Sequence, residues 1–446
     1  MKTLLAGVFS FFIFTTICFA QWFWQNPLPQ GNTLFSVYFT DSNTGWAVGS
    51  DGTIVKTIDG GNNWTTQSSG ATNHLYSVYF TDSNIGWTVG SGGIILKTTD
   101  GGNNWISQSS GTLGDLHSIY FTDSNIGWTV GENGTILKTI DGGDNWTTQS
   151  SGTANDLWSV YFTDSNTGWA VGSDGTIVKT IDGGNNWAPQ ISGTIEWLSS
   201  VCFTDSNTGW AVGEYGTVIN TTDGGNNWIS QISGTTNHLF SVYFTDSNTG
   251  WAVGISGTIF KTTDGGNNWI LHIIITTRYL YSVYFTDLNT GWTVGDYGTI
   301  LKTADGGNNW IFQLSASSYG LSSTYFTDSN IGWAVGDYGT ILKTTNGGVS
   351  FINDNTFAPT GFYLYQNYPN PFNPSTRIQY AVSSWQFVSV KVYDILGKEI
   401  ETLVSEEKPA GTYEVTWNAM NMPSGVYFYQ LKAGSFIETK KMVLLK

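Results

Sequence analysis

Cysteine is nearly absent from this chain: the 446 residues include two, Cys18 and Cys202. Cys18 lies in a leader-like N-terminus, so processing leaves one thiol and no intrachain disulfide can form. Charge is also scarce. Only 11% of residues are Asp, Glu, Lys or Arg, and 33 acidic residues outnumber 17 basic ones. The net charge of −16 argues against nucleic acid and anionic membrane surfaces as partners. Histidine is confined to His74, His117, His238 and His272, which are too scattered for a short metal-ligand motif. Past residue 20 no apolar run approaches the roughly 20 residues of a spanning helix. A helical 3.6-residue period is missing throughout the repeats. Disulfide scaffolds, zinc modules, helix bundles and helical membrane proteins are thereby set aside.

What the chain has is repetition. Tryptophan recurs at Trp46, Trp87, Trp128, Trp169, Trp210, Trp251, Trp292 and Trp333, always 41 residues apart. A fixed period near 40 residues predicts a repeat array or a propeller. Each copy holds four short runs rich in Val, Ile, Thr, Tyr, Phe and Trp; in the first they are residues 34–39, 46–49, 53–57 and 64–67. DSNTG, SDG and DGGNN separate them, and all three are turn chemistry. A four-stranded sheet this apolar on both faces cannot bury itself alone. Radial stacking and closure bury both faces, so the expectation is all-β: an eight-bladed propeller, with seven blades as the alternative. Residues 22–25 (WFWQ) resemble the fourth segment of a repeat, such as residues 64–67, whereas the last copy offers only FIND at 351–354. Residues 22–25 are therefore expected to complete the final blade and close the ring, which removes open sheet edges.

The turn before the fourth segment fits Ser/Thr-x-Asp-x-Gly-x-x-Trp. It carries Asp59, Asp100, Asp141, Asp182, Asp223, Asp264 and Asp305, and in the eighth copy Asn346 replaces Asp and Phe351 replaces Trp. This motif resembles the Asp-box of BNR-type propellers, which include sialidases, sortilin-like receptors and the photosystem II assembly factor family. GWAVG, TIVKT and DGGNNW look most like the last group. The resemblance implies that these aspartates are structural and lie away from any active site. Locally, a carboxylate can accept backbone N–H groups inside a tight turn while Gly supplies positive φ. The DSN turns, starting at Asp41 in the first copy, hold only the first two ligand positions of a calcium loop. The turn reading is preferred, no metal or cofactor is implied, and weak calcium binding is left open.

The chain divides into a secretory leader over residues 1–20, the propeller over 21–355, a linker over 356–362 and a small Ig-like sandwich over 363–446. The leader shows Lys2, an apolar run over 4–19 and a small residue at Ala20 before the expected cut. Residues 21–360 hold 26 acidic and 8 basic residues, while residues 361–446 hold 7 and 8. The second domain carries YPNPFNPST, VYDILGKE, SGVYFYQL and a terminal KKMVLLK. Together these resemble the C-terminal type A sorting domain of the type IX (Por) secretion system. The resemblance implies dealings with that machinery, passage through the periplasm, and delivery to the cell surface or the medium.

No catalytic residues are expected. A sialidase needs an arginine cluster, and the propeller has Arg278 alone. A glycosidase needs two carboxylates flanking a cleft, and repeats of equal length leave no inserted cleft loop. Function is expected where copies differ, in the loop entering the first strand and the loop between the second and third strands. The candidate ligand-binding residues are Trp158, Trp197, Tyr215, Tyr297, Tyr338 and Arg278. Aromatic and charged side chains on one face suit an extracellular protein or glycan. The expected function is a non-catalytic binding module. A secreted glycan hydrolase and a structural surface-layer component are the alternatives.

Overall fold

The computed structural model describes residues 22–25, 30–272, 276–348, 362–367, 369–409 and 411–445. The expected leader, and the expected linker apart from Phe362, lie outside these residues, as does Phe351. The contacts separate two compact units on either side of residue 350.

The first unit is a ring of eight antiparallel four-stranded sheets. Blade 1 consists of Leu34–Phe39, Gly45–Gly49, Ile54–Thr57 and Thr65–Gln67, each within a residue of the expected run. First strands of successive blades touch one another, and that of blade 1 touches that of blade 8. These strands therefore form the inner wall. Blade 8 takes its outer strand from the N-terminus: Phe23–Trp24 pairs antiparallel with Leu342 and Lys343. Eight blades, rather than seven, follow from eight copies plus this borrowed strand.

Two contacts join each blade to the next. The GW tryptophan of one blade lies flat against the phenylalanine ending the next blade's first strand: Trp46 on Phe80 at 3.6 Å, and Trp333 on Phe39 at 3.5 Å where the ring closes. Its indole N–H donates to the first Gly carbonyl of the neighbour's box, Trp46 to Gly101 at 3.0 Å and Trp333 to Gly60 at 3.2 Å. The box is thus tied across blades as well as within its own turn. All eight GW tryptophans are fully buried, which removes roughly 150–250 Å² of each from water.

The eighth box lacks its own tryptophan position among the described residues, and Trp22 occupies the slot. Trp22 is fully buried and meets Phe326 edge-on at 5.7 Å and 86°. Trp64 meets Phe39 in the same way, at 5.9 Å and 87°. The N-terminal segment therefore supplies blade 8 with both an edge strand and a core residue.

The inner wall carries a row of tyrosines, Tyr38, Tyr79, Tyr120, Tyr161, Tyr243, Tyr284 and Tyr325, with neighbouring rings 5.3–5.7 Å apart. Cys202 takes the eighth position. Burial pushes its thiol up to about 11, and a cavity of about 530 Å³ opens beside it between Tyr161 and Tyr243. Such a thiol stays protonated at neutral pH, and the thiolate is the nucleophilic form.

The second unit is a sandwich of two antiparallel sheets. One contains Tyr363–Leu364, Ser375–Val382 and Gly411–Asn418; the other contains Glu399–Lys408, Gln386–Tyr393, Gly425–Ala433 and Phe436–Leu444. Alternation buries Ile378, Val388, Val390, Val392, Tyr429 and Leu431 between them. The YPNPFNPST stretch is pinned to this core. Phe372 is buried, the Asn367 side chain donates to Thr376 Oγ1 at 2.9 Å, and the Asn367 N–H donates to the Tyr429 hydroxyl at 2.8 Å.

Candidate functional site

The two faces of the propeller are built from different turns. On one, each DSN turn bonds to the Asp-box of its own blade, as in Gly60 N–H to Asn43 O at 2.8 Å. Both kinds of carboxylate there are occupied by their own backbone. Asp41 Oδ1 accepts from Asn43 and Thr44 N–H at 2.7 and 3.0 Å. Asp59 accepts from Asn63 N–H and Asn63 Nδ2 at 2.8 and 2.7 Å, and Thr57 donates to it at 2.9 Å. Asp100, Asp141, Asp182, Asp223, Asp264 and Asp305 sit in equivalent boxes. Hydrogen bonds from Asn145 and Thr139 hold Asp141 down at about 2. The lysines lie on this side as well: Lys56 sits 5.8 Å over the Trp46 ring, and Lys97 reaches Asp144 at 2.6 Å.

The other face carries the variable loops. The turn between the second and third strands, Ser50–Gly52 in blade 1, has two successive left-handed residues, closed by Thr53 N–H to Ser50 O at 3.0 Å. This is type I′ geometry, which favours Asn, Asp or Gly at its first central position. Blades 1 to 4 comply with Asp51, Gly92, Asn133 and Asp174. Blades 5, 7 and 8 instead place Tyr215, Tyr297 and Tyr338 there, at φ of 51°, 54° and 52°. Their rings are 67%, 68% and 64% exposed. Left-handed backbone costs a residue with a Cβ about 1–2 kcal/mol, so these exposed rings are held at an energetic cost.

Each blade junction on this face brings three variable positions together: the second residue of a first strand, the first residue of that blade's I′ turn, and the residue before the next blade's first strand. A β-bulge aims the first of these; in blade 2 the register slips between Leu75 and Ser77, at Tyr76. Tyr76 donates to Asp115 at 3.1 Å, Trp158 to Ser173 at 3.2 Å, and Tyr281 to Asp296 at 2.9 Å. The rings form an arc around the inner wall: Phe35 to Tyr76 at 5.8 Å, Tyr76 to His117 at 5.8 Å, and His117 on Trp158 at 4.3 Å. Arg278 supplies the basic charge on this face; its guanidinium lies 4.5 Å over Tyr297. The same face also carries Asp51, Asp115, Glu132, Asp156, Glu214 and Asp337, among others.

The six candidate ligand-binding residues all lie on this face but not in one cluster. Trp158 stacks with Trp197 at 6.0 Å, Arg278 pairs with Tyr297, and Tyr338 packs on Tyr319 at 4.8 Å. Tyr215 belongs with a group that sequence reading did not assemble: Ser199, Glu214 and His238. The Ser199 hydroxyl is 2.7 Å from His238 Nε2, and Glu214 Oε1 is 3.9 Å from His238 Nδ1. Each position was recognisable as variable, but Ser199 and His238 are 39 residues apart on different blades. Only the registry of neighbouring blades brings them together.

The repeat region matches the family model described as photosynthesis system II assembly factor YCF48 over residues 17–112, 150–233, 192–269, 231–312 and 272–353, which together span more than half of the chain. The chain belongs to the YCF48 family. Residues 366–445 match the secretion system C-terminal sorting domain. No curated protein matches. Among solved structures, the YCF48 family is represented by YCF48 bound to D1 peptide, at 21% identity and a TM-score of 0.52, covering 74% of this chain and 96% of that one. YCF48 from Cyanidioschyzon merolae is similar at 22% identity and a TM-score of 0.50, covering 72% and 98%. The computationally designed Ika8 protein aligns at a TM-score of 0.61 with 16% identity, covering 71% and 97%. At these identities the likeness is one of fold. The sorting domain directs export by the type IX secretion system, so this YCF48-family chain is delivered to the cell surface or the extracellular space.

Proposed function

We propose that the exported propeller is a binding module whose partner, an extracellular protein or glycan, docks on the variable face. The observation that carries this reading is the trio Tyr215, Tyr297 and Tyr338. Asp, Asn, Gly and, in blade 6, Ser make the same turn in other blades, and Asp, Asn and Gly suit it better than tyrosine does, so the fold does not require tyrosine there. Backbone strain that persists on an exposed surface is a pointer to function. Tyrosine offers a large, fairly rigid contact surface at low entropic cost, which suits recognition. The opposite face favours neither partner, because its carboxylates are taken up by their own turns and its motif repeats from blade to blade. An asymmetric partner needs an asymmetric surface. The mature chain screened on a glycan array, and used as bait for proteins of the medium and neighbouring cells, tests this reading. Saturable capture that is lost when Tyr215, Tyr297 and Tyr338 are replaced together by Asn supports it. Capture unaffected by the replacement contradicts it.

A further inference from the structure

The junction between blades 5 and 6 differs in kind from the others. Its three variable positions are Ser199, Glu214 and His238: a hydroxyl, a carboxylate and an imidazole. We propose that they act as nucleophile, positioning acid and general base in the hydrolysis of uncharged carboxylic esters at the mouth of the propeller. This goes beyond binding, and it stands or falls independently of the partner that the rest of the face holds.

The geometry follows the order that acyl transfer requires. With its proton on Nδ1 toward Glu214, His238 presents the Nε2 lone pair to the Ser199 hydroxyl, 2.7 Å away. The 3.9 Å gap to Glu214 is long for a hydrogen bond, as catalytic contacts often are before substrate binds. Burial, partly offset by Glu214, holds His238 below the usual imidazole value, so it is neutral at pH 7 and able to accept a proton. The Phe240 ring packs on the imidazole at 4.6 Å and restricts its rotation. The bulge between Leu198 and Ser200 turns Ser199 out of the sheet ladder. All three side chains are half-buried and reachable from solvent.

The equivalent turns of other blades place a backbone donor next to His238. In blades 1, 2 and 3 the N–H of the first left-handed turn residue donates to the side chain preceding the next blade: Asp51 to His74 Nδ1 at 3.3 Å, Gly92 to Asp115 at 2.9 Å and Asn133 to Asp156 at 2.9 Å. The corresponding group next to His238 is the Tyr215 N–H, and it has no acceptor among the described residues. A solvent-accessible N–H at that place is available to donate to an oxyanion.

The reaction balances with water alone. Ser199 Oγ adds to the ester carbonyl carbon as His238 Nε2 takes its proton, and the carbonyl oxygen becomes an oxyanion facing the Tyr215 N–H. Collapse breaks the bond to the alcohol, which leaves with the proton from His238. Water then adds to the acyl-serine with His238 again as base, and the acid leaves with Ser199 restored. Trp197, 44% exposed and two residues before the nucleophile, offers a flat surface for a ring-bearing ester. The carboxylates around the mouth disfavour anionic ones.

The test uses the mature full-length chain with p-nitrophenyl acetate as substrate and a fluorophosphonate as covalent label. Expected are saturable turnover and a single label mapped by mass spectrometry to Ser199. Ser199→Ala and His238→Gln should each lower kcat/KM on the order of 10²-fold or more, while Ser322→Ala, the matching serine of blade 8, leaves it unchanged. Glu214→Gln should lower kcat at unchanged KM, with partial recovery in Glu214→Asp. Should a variant fail to fold, the label position on the unaltered chain decides alone. Turnover unchanged in Ser199→Ala, absence of saturable turnover, or a label at other residues overturns the proposal.

Discussion

Replacing Trp22 by Ala tests how the ring is closed. Trp22 is fully buried and packs with Trp292, Leu321, Phe326 and Leu342, as Trp64 does with Trp333, Leu34, Phe39 and Val55. Truncating a buried Trp to Ala costs about 3–5 kcal/mol. Unfolding entropy of about 2.1 cal/mol/K per residue gives a propeller of this length roughly 0.7 kcal/mol/K. The expected fall in Tm is then about 4–7 °C. Trp64→Ala is the internal control: it vacates the same slot in blade 1, whose strands are continuous in sequence, and should cost about as much. Trp22→Ala should cost at least that, because Phe23–Trp24 also loses its anchor and blade 8 is left with a frayed edge. The assay is thermal and guanidinium unfolding of the mature chain and both variants. A loss below about 1 kcal/mol for Trp22→Ala, beside a normal loss for Trp64→Ala, would refute the idea that Trp22 completes the eighth box.

Acid should weaken the ring. Asp141 is held at about 2, and Asp100, Asp182, Asp223 and Asp264 are lowered by the same hydrogen bonds from the Asn four residues on. Groups depressed in the folded state stabilise it above their unfolded value near 4 and lose that contribution as pH falls through the folded value. Tm should therefore hold above pH 5 and drop between pH 4 and pH 2, less steeply in Asp141→Asn; a flat profile to pH 2 would contradict the assignment. Tyr215→Asn should leave stability unchanged or raise it by up to about 1 kcal/mol, since Asn suits left-handed backbone; a clear loss of stability would show that the ring is there for packing. Removing residues 361–446 should leave a folded propeller retained in the periplasm, and normal surface delivery of the shortened chain, followed by surface immunolabelling, would count against the export route.

Much of the architecture can be read from the residues. Eight copies at a 41-residue spacing point to eight blades over the alternative of seven, the SDG-like and Asp-box turns mark where strands end, and WFWQ at 22–25 announces the closing strand. Three features could not be read. The indole of Trp46 finds its acceptor at Gly101, 55 residues on, and a pattern inside one repeat cannot report a bond between repeats. The strain at Tyr215, Tyr297 and Tyr338 is visible only once the SDG-like turn is known to be type I′ with its first central residue left-handed. The Ser199–His238–Glu214 group depends on the stagger between blades 5 and 6 and on the bulge at Ser199, neither of which has a sequence signal of its own. The candidate face was thus identifiable from variation between copies, whereas the groupings within it were not.

Recognition on the variable face is tested by comparing two sets of variants for binding to a partner found by array or capture. One set replaces Trp158, Trp197, Tyr215 and Tyr297 with Ala, and the other replaces Asp141 and Asp182 with Ala. Affinity is measured by titration on folded protein and Tm is measured alongside. For the first set, at least a tenfold loss of affinity, about 1.4 kcal/mol, is expected with little change in Tm. For the second, a lower Tm with unchanged affinity is expected. Affinity lost in the Asp-box set and retained in the aromatic set would contradict recognition on the variable face.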